Sequence, residues 1–178
     1  MASNLVSVKW LNDNLNAEDT VLVMASQDGL GDQVIPGTRL FDLKQVFRDT
    51  SSDLPNTFPS EAVFEEGMRD LGINQDTTVV IYDKKGIYFS PRVWFLMRAM
   101  GKQHVYVLDG GLPAWQAERL PTTEPQSIAF PLGDFTTELN TDMVRHLDFM
   151  KSNSLDSGSS LQNSFHHKIW LTNVRIQE

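Results

Sequence analysis

Val79-Val80-Ile81-Tyr82-Asp83-Lys84-Lys85-Gly86-Ile87-Tyr88-Phe89-Ser90-Pro91-Arg92-Val93-Trp94-Phe95-Leu96-Met97-Arg98-Ala99-Met100 reads as a strand, a loop and a helix in turn. The first four residues form an apolar, largely β-branched run, the pattern of a strand covered on both faces of a parallel sheet. Ser90 offers a side-chain oxygen to the free amides of a helix start, and Pro91 suits the first helical position, where the N–H it lacks would be unpaired anyway. Val93, Leu96, Met97 and Met100 recur at helical spacing and give one apolar face, with Gly101 closing the far end. Between strand and helix lie Asp83 to Phe89. In α/β domains ligands gather at such places, beyond the carboxyl end of a strand and against the positive end of the next helix.

Upstream, Ser7 is placed to cap a helix in which Val8, Leu11 and Leu15 share a face and Asn16 marks the exit. Thr20 to Ala25 is the first strand, and the Gly and Asp residues from Asp28 to Asp32 make a flexible loop after it. Ile35-Pro36-Gly37 turns the chain into a second short strand, Arg39 to Leu43. Residues 48–59, polar and interrupted by Pro55 and Pro59, read as an irregular surface loop. Ser60 opens a helix with Phe64, Met68 and Leu71 on its core face, ended by Gly72.

Downstream, His104 to Leu108 is the next buried strand, and Asp109-Gly110-Gly111 turns into a short helix through Ala114, Trp115 and Ala117. Strands alternating with helices of this length imply parallel strands joined by right-handed crossovers. The expected fold class is α/β, a parallel sheet of about five strands flanked by helices on both faces. From Pro121 to Phe135 the alternation breaks at Pro121, Pro125 and Pro131, as in an inter-domain linker. Asp142 to Met150 is helical again, aligning Met143, Leu147 and Met150. Beyond Leu161 nothing continues the alternation, although Ile169-Trp170-Leu171 has the composition of a short strand.

A length of 178 residues allows one domain with a full core plus a fragment of another. A net charge of −8, with no cluster of Lys or Arg, argues against nucleic acid or anionic membrane as a partner. No apolar run approaches a membrane span and no signal peptide is visible, so a cytoplasmic protein is expected. The chain contains no cysteine, which excludes disulfides, thiolate metal sites and a thiol nucleophile of its own. His166-His167 forms no metal site, because adjacent side chains point apart and no Asp or Glu stands at ligand spacing. Neither a metal nor a cofactor is expected.

Several segments, in order, resemble the N-terminal half of two-domain rhodanese-like sulfurtransferases, the thiosulfate and 3-mercaptopyruvate sulfurtransferases, over about Leu5 to Thr123. Val6-Ser7-Val8-Lys9-Trp10-Leu11 is similar to the family's opening helix, and Ile35-Pro36-Gly37 with Phe41-Asp42 to its H-I-P-G-A-x-F-F-D turn and strand. Asp49-Thr50-Ser51-Ser52, Leu54-Pro55 and Phe58-Pro59-Ser60 resemble its following loop. Ser90-Pro91-Arg92-Val93-Trp94 resembles A-P-R-V-W, and Leu108-Asp109-Gly110-Gly111-Leu112 with Trp115 resembles L-D-G-G-x-x-x-W. On this resemblance, residues 1–122 are a rhodanese-like domain of the non-catalytic type and 123–140 an inter-domain linker. Residues 141–178 are then a remnant of the start of a second domain, truncated or frame-altered after about 161.

The resemblance implies transfer of sulfane sulfur from thiosulfate or 3-mercaptopyruvate to a thiophilic acceptor, through a persulfide on a cysteine of a C-terminal domain that this chain lacks. Asp83 occupies the nucleophile position, so Asp83, Lys84, Lys85, Gly86, Ile87 and Tyr88 form a vestigial active-site loop with no catalytic residue. Tyr88 and Phe89 stand where the family places an aromatic pair, as the wall of an inter-domain pocket. Val34 replaces the family's histidine, Met24 its first-strand aspartate, and Gln27 to Gln33 is short. The implied partners are a cysteine-bearing C-terminal rhodanese domain, or a second copy through the same face, with a small anionic sulfur donor once the site is complete. Asp83 is otherwise expected to cap its own loop's amides, Lys84 and Lys85 to be solvated, and Arg92 to be packed and hydrogen-bonded. A competing function is a stand-alone module that uses the vacant loop to hold a small anion, or binds a protein partner.

Overall fold

The computed structural model describes residues 4–144 apart from 53, 55 and 127. Five strands, β1 (Leu5–Val6), β2 (Thr20–Ser26), β3 (Arg39–Asp42), β4 (Thr78–Tyr82) and β5 (Val105–Leu108), pair in the order β1-β5-β4-β2-β3, every pair parallel. Four helices complete the unit: α1 (Val8–Asn14), α2 (Glu61–Asp70), α3 (Ser90–Ala99) and α4 (Gly111–Ala117). The expected α/β architecture is therefore present. What the periodicity misses is β1, since two residues at the sheet edge are too short to show an alternation.

Alternate residues of the central strands feed two cores, as the two-residue repeat of a strand requires. Val21, Val23, Ala25, Val79, Ile81, Val105 and Val107 meet Phe64 and Met68 of α2 and Val93, Leu96 and Met97 of α3. Leu22, Met24, Val80, Tyr82 and Leu108 meet Leu11 of α1 and Leu112 and Trp115 of α4 on the other face. The caps at Ser7 and Ser60 form as the sequence suggests, their hydroxyls accepting from the amides of Trp10 and Val63. The cap at Ser90 does not. Phe89 precedes α3 without a side-chain bond, Ser90 is the first helical residue, Pro91 the second, and the Ser90 hydroxyl is directed elsewhere.

The described residues of 123–140, all but 127, belong to none of these helices or strands and are docked along the domain. Thr123 bridges Val34, Arg39 lies 4.2 Å from the centre of the Phe130 ring, and Gly133 passes so close to Ile73 that a Cβ would overlap its backbone. Phe135 is fully buried and continues a run of rings, edge-on to Phe64, which is edge-on to Phe47, which stacks on Phe41. Glu138 and Asn140 then donate their amides to the carbonyls of Met100 and Ala99 at the end of α3. Of the helix expected over 142–150 only the first three residues lie in the described part, where the chain makes a turn at 141–143. His166-His167, Ile169-Trp170-Leu171 and the change of pattern after 161 fall outside the described residues.

Candidate functional site

The chain steps from β3 across β2 to β4, so the strand order reverses between β2 and β4, where an open α/β sheet forms its ligand crevice. Two loops meet there. Lys84 Nζ, from the loop after β4, lies 3.4 Å from the carbonyl of Gly29 in the loop after β2. From the other side the β5–α4 turn presses in. Leu112 donates its amide to the Asp83 carbonyl at 3.0 Å, and Gly111, with φ +56°, packs so tightly that any Cβ would overlap the carbonyls of Gly86 and Asp83.

The loop is organised around one buried carboxylate. Asp83 Oδ1 accepts the amide of Lys85 at 2.8 Å, while Oδ2 accepts the amides of Tyr88, Phe89 and Ser90 at 2.8, 2.9 and 3.0 Å and the Ser90 hydroxyl at 2.6 Å. These amides are the free donors of the loop and of the first turn of α3, so an anion here is held by hydrogen bonds and by the helix dipole together. Burial alone would push the carboxyl up. The Ser90 hydroxyl and the amides of Ser90, Tyr88 and Lys85 outweigh it and hold the group below the usual carboxylate range.

The expectation that Asp83 caps its own loop is met, but the loop is not vacant as a small-anion reading needs. Its cradle already contains an anion, supplied by the chain itself. Lys84 and Lys85 are exposed, and neither is directed at the cradle: Lys84 reaches Gly29, and Lys85 Nζ lies 4.6 Å from the centre of the Tyr88 ring. Arg92 donates Nη2 to the Thr57 carbonyl at 3.1 Å.

Tyr88 is 64% exposed, Phe89 is partly buried against the core, and their rings meet edge-to-face at 4.7 Å. Ile87, also exposed, continues this apolar surface into a groove of about 240 Å³ lined by Leu5, Pro91, Trp94, Phe95 and Val107. Val34 and Met24 are buried among α1 and α4 side chains and bring no polar group to the crevice. Two supporting contacts escape a reading of the sequence. Ser90 serves Asp83 from seven positions away, a spacing with no local signature. The Tyr82 hydroxyl, in contact with Thr38 Oγ1 at 2.7 Å and accepting the Ile35 amide at 3.2 Å, ties the Ile35-Pro36-Gly37 turn to the strand that carries Asp83. No group of His, Asp and Glu among the described residues could hold a metal ion.

A family model described as a rhodanese-like domain matches residues 7–118. The 3-mercaptopyruvate sulfurtransferase of Escherichia coli (strain K12) is 29% identical over 150 residues, which span 78% of this chain and 53% of the relative. The mitochondrial thiosulfate/3-mercaptopyruvate sulfurtransferase 1 of Arabidopsis thaliana is 39% identical over 123 residues, 64% of this chain and 32% of the relative. Among solved structures, the SseA 3-mercaptopyruvate sulfurtransferase of Escherichia coli aligns with a TM-score of 0.76 and 28% identity, covering 86% of this chain and 63% of that one. The chain thus spans about half the length, or less, of these curated relatives.

Proposed function

The chain belongs to the rhodanese-like domain family, and from that footing we propose that it acts as the non-catalytic, amino-terminal half of a two-domain sulfurtransferase. It provides fold and pocket wall to a cysteine carried outside its own sequence. The observation that carries this reading is the Asp83 carboxylate seated in the amide cradle beyond β4, in a chain with no cysteine. A thiolate can take the sulfane sulfur of a donor and hold it as a persulfide; a carboxylate oxygen cannot. The loop therefore keeps the frame of a sulfur site while its own acid fills the place of the reactive anion.

In this role Asp83 fixes the loop rigidly and thereby sets the position of Tyr88 and Phe89. The aromatic pair faces the partner domain's cysteine and shields its persulfide from water, with thiosulfate or 3-mercaptopyruvate as donor. Residues 123–140 serve as the passage from this domain toward the second. The setting is cytoplasmic in this reading, and no helix among the described residues is long and apolar enough to cross a membrane. The test is cyanide-dependent formation of thiocyanate from thiosulfate and from mercaptopyruvate by the purified chain. No turnover is expected, and turnover that persists through repurification overturns the reading.

A further inference from the structure

The segment that follows α4 comes to rest on the last turn of α3, where Asn140 donates its amide to the Ala99 carbonyl at 2.7 Å. There the chain takes the geometry of a helix start. The Asn140 side chain accepts the Asp142 amide at 3.0 Å, and its carbonyl accepts the Met143 amide at 3.0 Å. Asn is among the preferred residues for such a cap, and beyond it Met143, Leu147 and Met150 recur at i, i+4 and i+7. Residues 145–150 lie outside the described part, but the point from which they set out is pinned to α3.

The groove of about 240 Å³ beside Ile87 is walled by the same helix, through Pro91, Trp94 and Phe95, together with Leu5 of β1 and Val107 of β5. Asn4 alone among its described walls is polar. Trp94 and Phe95 are only half-buried, and Ile87 is 44% exposed. At 1.5 Å per residue, Phe95 and Pro91 lie about 6 and 12 Å along the helix axis from Ala99. In a helix capped by Asn140 and led back antiparallel to α3, Leu147 and Met150 fall about 10 and 15 Å from the cap. Leu147 then stands between Phe95 and Pro91, and Met150 just past Pro91 on the side of Ile87. Length, direction and apolar spacing therefore all match the groove.

We propose that residues 142–150 form a helix that runs back along α3 and buries Leu147 and Met150 in this groove, so that the chain's own continuation covers it. The contact is independent of the sulfurtransferase reading and its test uses no sulfur donor, so either can fail without the other. Because the full chain has no cysteine, thiols introduced in pairs report proximity without background. Phe95→Cys with Leu147→Cys, and Ile87→Cys with Met150→Cys, are treated at micromolar concentration with a rigid bismaleimide whose span suits the roughly 8–10 Å between packed helices. His104→Cys with Leu147→Cys is the control, at an exposed position just past the end of α3 and off the groove. Both groove pairs should be bridged within one chain about tenfold or more faster than the control, because seating raises the effective concentration of the two thiols. Intact mass reads this as one reagent per chain with both thiols consumed. Adding Met150→Asp to the first pair should abolish the preference, since a carboxylate does not enter an apolar groove unpaired. If a Phe95 variant does not fold, the Ile87 and Met150 pair decides, because Ile87 is exposed. Bridging no faster than the control, a preference that survives Met150→Asp, or bridging chiefly between two chains, as a second copy in the groove would give, overturns the proposal.

Discussion

Asp83 and Ser90 are seven residues apart, and their contact turns a strand end and a helix start into one rigid unit. Replacing Asp83 by Asn keeps the shape but sets an NH₂ donor among donors. We expect a loss of about 2 kcal/mol or more in urea denaturation, since a buried donor left unsatisfied costs roughly 1–3 kcal/mol. The pH dependence follows from the same bonds. Asp83 is held below its unfolded value of about 3.9, so its stabilising contribution is complete above that pH and is lost as pH falls through the lower folded value. Stability of the Asp83→Asn variant should therefore fall less steeply below about pH 4 than that of the parent. Sequence alone identifies Asp83 as a loop-capping acid because a lone Asp after a strand has amides to satisfy. It misassigns Ser90, because a hydroxyl at a helix start looks the same whether it serves the helix or a carboxylate brought to it by the fold.

At the scale of elements, the strands and helices that carry long periodic patterns were legible, and the pieces that depend on partners distant in sequence were not. β2, β4, α2 and α3 announce themselves by apolar spacing, whereas β1 is a strand only because β5 pairs with it. The stretch after Pro121 reads as a linker because its prolines break every period, yet Phe135 inserts into the α2 core and Arg69 Nε holds the Phe135 carbonyl at 2.8 Å. Phe135→Ala should cost about 3–5 kcal/mol in chemical denaturation, the range for emptying a buried aromatic site. A chain ended at Leu120 should likewise lose cooperative unfolding. Little change in either would mean that this strap contributes nothing to the fold.

For the molecule as a whole, both faces of the sheet are covered, and its exposed apolar surface includes the loop that the candidate site rigidifies. Tyr88→Ala should alter stability by no more than about 0.5 kcal/mol, the usual range for an exposed substitution. It should nevertheless weaken association with a cysteine-bearing rhodanese domain by about 2 kcal/mol or more if the ring is an interface anchor, measured by calorimetric titration. The fold and the absence of cysteine were readable from motifs and composition, while the filled amide cradle around Asp83 was not, because it depends on amides aimed by tertiary structure. Intact-mass spectrometry after incubation with thiosulfate tests the central claim most directly. An unchanged mass is expected, because the chain has no thiol on which a sulfane sulfur can rest; a covalent gain of one sulfur atom would contradict it.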